Sequence, residues 1–103
     1  MAQLVVMYKT PRDTAAFDKH YFEKHLPLAK KLPGLKKYEV SSGRVGTPGG
    51  GASPYHLVAV LSFDDMAAIQ KAFGSAEGAA AVSDVPTFAT GGVDIFMYDT
   101  RVV

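Results

Sequence analysis

The sequence predicts an α+β fold with four strands and two main helices in the order β-α-β-β-α-β. Short β-branched runs alternate with two segments of helical periodicity, and Gly or Pro clusters separate them. Apolar residues make up 48% of the 103 and charged residues 20%, a balance that folds around a core and excludes a disordered chain. The length fits one domain over residues 1–103.

Leu4-Val5-Val6-Met7-Tyr8 reads as a buried strand, broken by Thr10-Pro11. Asp13 or Thr14 caps a first helix, which meets Pro27. A kink is expected there, with a further turn or two before Pro33-Gly34 stops the helix. A strand follows from about Leu35 to Val45, then a glycine-rich loop over 46–54, then a strand from Tyr55 to Phe63. Asp64 is expected to cap the second helix, closed by Gly74. Ser75 caps a shorter helix ending near Ser83, before Asp84-Val85-Pro86, and the last strand runs from Val93 to Asp99. This order is the ferredoxin-like split βαβ arrangement, in which both helices cover one face of a four-stranded antiparallel sheet.

The strands also predict an assembly. Both alternate sets of the third strand are largely apolar: Leu57, Ala59 and Leu61 on one face, Val58 and Val60 on the other. Two helices cover only one face, so the second calls for a cover. A second copy packed sheet against sheet is the economical one, giving a homodimer and a dimeric α+β barrel.

Several function classes fall away. With no cysteine, disulfides, thiolate metal sites and cysteine nucleophiles are excluded. A net charge of +1 compels neither nucleic acid nor anionic membrane binding, and no run approaches a membrane span. The opening apolar run is too short for a signal-peptide core, so a cytoplasmic protein is expected. The glycine loop fails GxGxxG and joins two strands, whereas phosphate loops open helices. An RNA-recognition sheet needs stacking aromatics where this third strand carries His56, Val58 and Val60. His20 and Glu23 form an H-x-x-E pair without companion carboxylates on another helix. No metal and no cofactor are expected.

The first helix holds the candidate site. On a helical wheel Phe17, Tyr21, His25, Leu28 and Leu32 fall within roughly 80° of one another. His25 therefore sits on the buried stripe beside Tyr21, while His20 lies about 140° away, towards water. A histidine on an oily stripe is either a packed core residue or an imidazole facing a cavity, kept neutral by desolvation. The cavity reading takes a small apolar molecule as ligand. It makes His25 and Tyr21 the catalytic pair, and Tyr8, Phe17, Leu28, Tyr55, Leu57 and Phe88 the ligand-binding side chains. Asp84 is either a counter-charge or a turn cap, and Tyr98 a further polar handle.

Three stretches, FDKHYFEKHLPLAKKLPGLKKYEVS, PYHLVAVLSFDD and GSAEGAAAVSDVPTFATGGV, resemble the EthD family, small dimeric α+β-barrel proteins named from bacterial ethyl tert-butyl ether degradation. The likeness runs from Val5 to about Tyr98, with the Tyr21-x-x-x-His25-x-Pro27-Leu28 and Ser75-x-Glu77-Gly78…Asp84-Val85-Pro86-x-Phe88 blocks the most specific. The family often has proline where this chain has Ala76 and glutamine where it has Ala79. The resemblance implies work beside a haem monooxygenase system in breaking down an alkyl ether or related compound. Proteins of the same barrel include cofactor-independent monooxygenases, polyketide cyclases and lactone isomerases, so an enzyme using His25 as general base is one alternative. A non-catalytic accessory protein is another.

Overall fold

In β1 (Ala2–Lys9) every second residue, Ala2, Leu4, Val6 and Tyr8, is buried, while Gln3, Val5 and Met7 are half-buried. That alternation fixes which face of the sheet meets the helices. The computed structural model describes residues 1–103. After β1 come α1 (Thr14–His20), a π-helical turn (Tyr21–His25), α2 (Leu26–Ala29), β2 (Lys37–Val40), β3 (Tyr55–Phe63), α3 (Met66–Phe73), α4 (Ala76–Phe88) and β4 (Val93–Asp99). The strands form one antiparallel sheet in the order β2-β3-β1-β4, the ferredoxin-like arrangement.

Register places Tyr38, Leu61, Leu4 and Met97 in one row across the sheet, and Val40, Ala59, Val6 and Ile95 in the next. These rows face the helices and supply much of the core, together with Phe17, Tyr21, Leu32, Ile69, Ala72 and Phe88. The molecule measures 36 × 35 × 18 Å, a thickness that accommodates one sheet and one helix layer. The other sheet face carries Val5, Val60 and Phe96 in one row and Gln3, Ser62 and Tyr98 in the next, with no helix over it.

Local chemistry sets the element ends. Asp13 accepts from the Ala16 N–H and Ser75 from the Gly78 N–H. Asp65, one residue later than expected, accepts from the Ala68 N–H. β2 is shorter than the expected 35–45. The Ser41 N–H still bonds the Val58 carbonyl at 2.8 Å, and Gly43 at φ 74° then turns the chain away. α4 continues past Ser83, its expected end, and through Pro86. The proline removes one donor, but the buried Phe88 anchors the last turn to the core.

Candidate functional site

The kink expected at Pro27 takes the form of a wide turn just before it. The Leu26 N–H reaches back five residues to the Tyr21 carbonyl. In a regular helix the Pro27 ring would crowd the Glu23 carbonyl, and its missing N–H would leave an acceptor unused; widening the turn relieves the crowding. The widened turn also changes which residues face inward. Phe17, Tyr21, His25 and Ala29, four apart throughout, are all buried, whereas Leu28 is half-buried and outside the core cluster.

The same turn moves His20. A π turn winds fewer degrees per residue than an α turn, so five residues come close to a full revolution. His20 and His25 accordingly reach one carboxylate, which corrects the expectation that His20 points to water. Asp84 on α4 lies between them. His20 Nε2 is 2.9 and 3.0 Å from its two oxygens, and His25 Nδ1 is 3.0 Å from Oδ2. The Thr87 hydroxyl adds a contact of 3.2 Å. Phe88 packs against both rings, with centroids 5.1 Å from His20 and 4.8 Å from His25. Extending α4 through Pro86 is what carries Asp84, Thr87 and Phe88 to these positions on consecutive turns.

Protonation follows from this geometry. Burial pushes the Asp84 carboxyl up, but the hydrogen bonds from His20, His25 and Thr87 outweigh it and hold the group below its ordinary value. Asp84 is then an ionised acceptor, so the ring nitrogens facing it carry hydrogens: His20 Nε2–H and His25 Nδ1–H donate. Burial lowers the pKa of His25 despite the opposing effect of Asp84. A neutral His25 with its proton on Nδ1 has a bare Nε2. No side-chain nitrogen or oxygen sealed from solvent-sized space lacks a hydrogen-bond partner, and His25 has none beyond Asp84. Nε2 therefore opens onto free space.

His25 borders a cavity of about 310 Å³ between the helices and the sheet, lined by sixteen residues of which fourteen are hydrophobic. Leu4, Val6, Ala59, Leu61, Ile95 and Met97 form the sheet side; Ile69, Phe73, Ala81, Val82 and Val85 form the helix side. His25, Tyr8, Tyr21 and Tyr38 supply polar groups, with Gln70. The Tyr21 and Tyr38 hydroxyls share one hydrogen bond of 2.6 Å. Burial raises the pKa of Tyr8, Tyr21 and Tyr38 above the ordinary phenol value, so all three stay protonated at neutral pH.

Of the residues singled out from sequence, His25, Tyr21 and Tyr8 line the cavity together. Phe17 and Phe88 stand behind that wall, with rings 5.2 to 5.4 Å from Tyr8 or each other. Leu57 is buried in the core, and neither it nor Leu28 borders the cavity. Tyr55 bonds Asp94 at 2.8 Å, and Asp94 shares a row with Met7 and Val58 on the helix-free face. Tyr98 lies on that face too. Sequence reasoning missed Tyr38, Ile95 and Met97, and Ala81, Val82 and Val85 of α4. Alternation along the strands carried a signal for the first three.

Fold and cavity define a ferredoxin-like α+β protein with an oily chamber between its layers and, at its wall, one histidine of a His–Asp–His cluster. The chain belongs to the EthD family: residues 9–92 match the EthD domain. It is 36% identical over 103 residues to an uncharacterized 11.0 kDa protein of the thcB-thcC intergenic region of Rhodococcus erythropolis, covering 100% of this chain and 98% of that one. An ethyl tert-butyl ether degradation (EthD) family protein from Bacillus halodurans superposes with a TM-score of 0.88 at 34% identity, covering 98% of this chain and 99% of that one. SnoaB, a cofactor-independent oxygenase from Streptomyces nogalater, shares the fold at a TM-score of 0.70 and 12% identity, over 99% of this chain and 94% of its own.

Proposed function

We propose that the protein binds a small apolar molecule in the cavity between its helices and its sheet, with His25 and Tyr21 at the wall. The observation that carries this reading is a mostly hydrocarbon chamber of about 310 Å³ bordered by a buried histidine whose Nε2 has no partner within the protein. Such a volume, at the small end for ligand sites, suits a compact molecule. Phe17 and Phe88 act from behind, fixing Tyr8, Tyr21 and His25. The working unit is a homodimer. In its support, Phe96 and Tyr98 are 58% and 47% exposed on the helix-free face beside the half-buried Val5, Met7, Val58 and Val60. Family membership favours a role in breaking down an ether or other xenobiotic alongside a haem monooxygenase system. No helix is long and apolar enough to cross a membrane.

Calorimetric titration with small alkyl ethers and arenes tests the binding site. Ala81 is 4% exposed and lines the chamber, so Ala81→Phe fills it. The expected result is loss of binding in a folded variant; undiminished affinity would move the site elsewhere.

A second reading has its own observation. Asp84 fixes the tautomer of His25 and would stabilise its imidazolium, as a general base requires. On this reading His25 Nε2 removes a proton from the bound molecule in an oxygenase, isomerase or cyclase reaction. Turnover by the purified protein, falling as pH drops through the lowered pKa of His25, separates it from binding alone.

A further inference from the structure

We infer that the cavity selects a compact, otherwise apolar molecule bearing one acidic hydroxyl, a phenol or an enol, and holds it as its oxyanion. In that arrangement the hydroxyls of Tyr8 and of the Tyr21–Tyr38 pair donate to the ligand oxygen, and His25 Nε2 holds its proton. This rests on the cavity reading above and specifies the ligand's chemistry.

Three features carry it. Tyr8 is 2% exposed, yet its hydroxyl has no partner within the protein. No sealed polar side-chain atom is unpartnered, so that hydroxyl is not sealed, and the cavity is the space that Tyr8 borders. Next, the Tyr21–Tyr38 contact uses only one of two hydroxyl hydrogens, which leaves one donor over. Finally, Tyr8, Tyr21 and His25 are packed together: ring centroids are 5.5 Å apart for Tyr8–Tyr21 and 5.3 Å for Tyr21–His25. Two donor hydroxyls and one base, borne on touching rings, are the groups that an oxygen arriving with a hydrogen and staying without it would need.

The charges narrow the class further. No lysine or arginine lines the cavity, His25 is neutral at neutral pH, and Asp84 already carries a negative charge behind it. A ligand that enters as a carboxylate meets an anion and no cation. A hydroxyl compound brings its own proton, so binding adds no net charge while an ion pair forms inside. In that step the ligand O–H bond breaks and an Nε2–H bond forms. The electron pair stays on the ligand oxygen, and the imidazolium keeps its Nδ1–H on Asp84. Nothing is oxidised or reduced.

Three probes of similar size test the proposal: 4-nitrophenol, 4-nitroanisole and 4-nitrobenzoate. The expected result is that 4-nitrophenol binds with the visible absorption of its ionised form, at a pH where the free compound is mostly neutral. The ether should bind at least about tenfold more weakly and the carboxylate weakest of all. Tyr8→Phe keeps the ring and should weaken 4-nitrophenol about tenfold, and 4-nitroanisole by less, because its ether oxygen is a poorer acceptor than an oxyanion. His25→Gln should abolish the ionised spectrum. Equal binding of phenol and ether, or tighter binding of the carboxylate, would overturn this inference and leave the cavity reading standing. Binding of none of the three would overturn both.

Discussion

Two ends of the same sheet face are built differently. Above Tyr8 the space is filled by Phe17, Tyr21 and Phe88, whose rings meet at centroid distances of 5.2 to 5.8 Å, mostly edge to face. Toward β4 the same alternation presents Ile95 and Met97, which remain 52% and 46% exposed, and the chamber opens beside them. The helices differ in what they bring. α1, its π turn and the last residue of α4 supply large aromatic rings, whereas the middle of α4 opposes the sheet with Ala81, Val82 and Val85. Gly78 lets α4 approach so closely that an added Cβ would lie 2.3 Å from the Ala72 carbonyl oxygen. Side-chain volume, with strand pattern unchanged, decides which end is core and which is cavity.

The largest expected effect is at the filled end. Phe88→Ala should cost about 3–5 kcal/mol in chemical denaturation, because it empties the aromatic cluster and removes the ring that both histidines pack against. Gly78→Ala forces the α3–α4 corner apart and should cost about 1–3 kcal/mol. A stability unchanged by that substitution would mean that the corner is not closely packed.

The two histidines sharpen the contrast further. His25→Asn should destabilise by about 1–3 kcal/mol, through lost packing and a poorer partner for Asp84, and should suppress binding. His20 is more exposed, its side chain retaining 31% of its accessible surface. His20→Asn should cost about 1 kcal/mol or less and weaken binding only through Asp84. Equal losses of binding in the two variants would make the cavity-facing nitrogen irrelevant.

The smallest effect is in the pH dependence of stability. Burial disfavours the charged form of His25, so the unfolded chain takes up its proton at a higher pH than the folded one does. Stability from this group is full above about 6.5 and declines as pH falls from there to the folded-state pKa. Asp84, held below its ordinary value, adds a second loss in more acidic solution. Melting curves across pH should show both steps, and His25→Asn should remove the upper one.

Much of this was legible in the chain. β1 and β3 announced themselves as short, β-branched apolar runs bounded by Pro and Gly clusters, and Phe17, Tyr21 and His25 by their place on one helical stripe. The position of His20 was not legible, because a helical wheel assumes constant winding and the π turn before Pro27 departs from it. Nor was the continuation of α4 through Pro86, where burial of Phe88 overrides a local helix breaker. The cavity itself left no periodic signal. It depends on small residues of α4 lying opposite β4, a pairing that only the tertiary fold makes.

One residue, His25, belongs both to the buried cluster and to the chamber wall, and nitrogen-15 NMR of the imidazole rings at neutral pH reads its nitrogens directly. The structure leads to a neutral His25 protonated on Nδ1, with a bare Nε2 whose resonance moves when a cavity ligand is added. A proton on Nε2, or a charged His25 in the free protein at neutral pH, would contradict it.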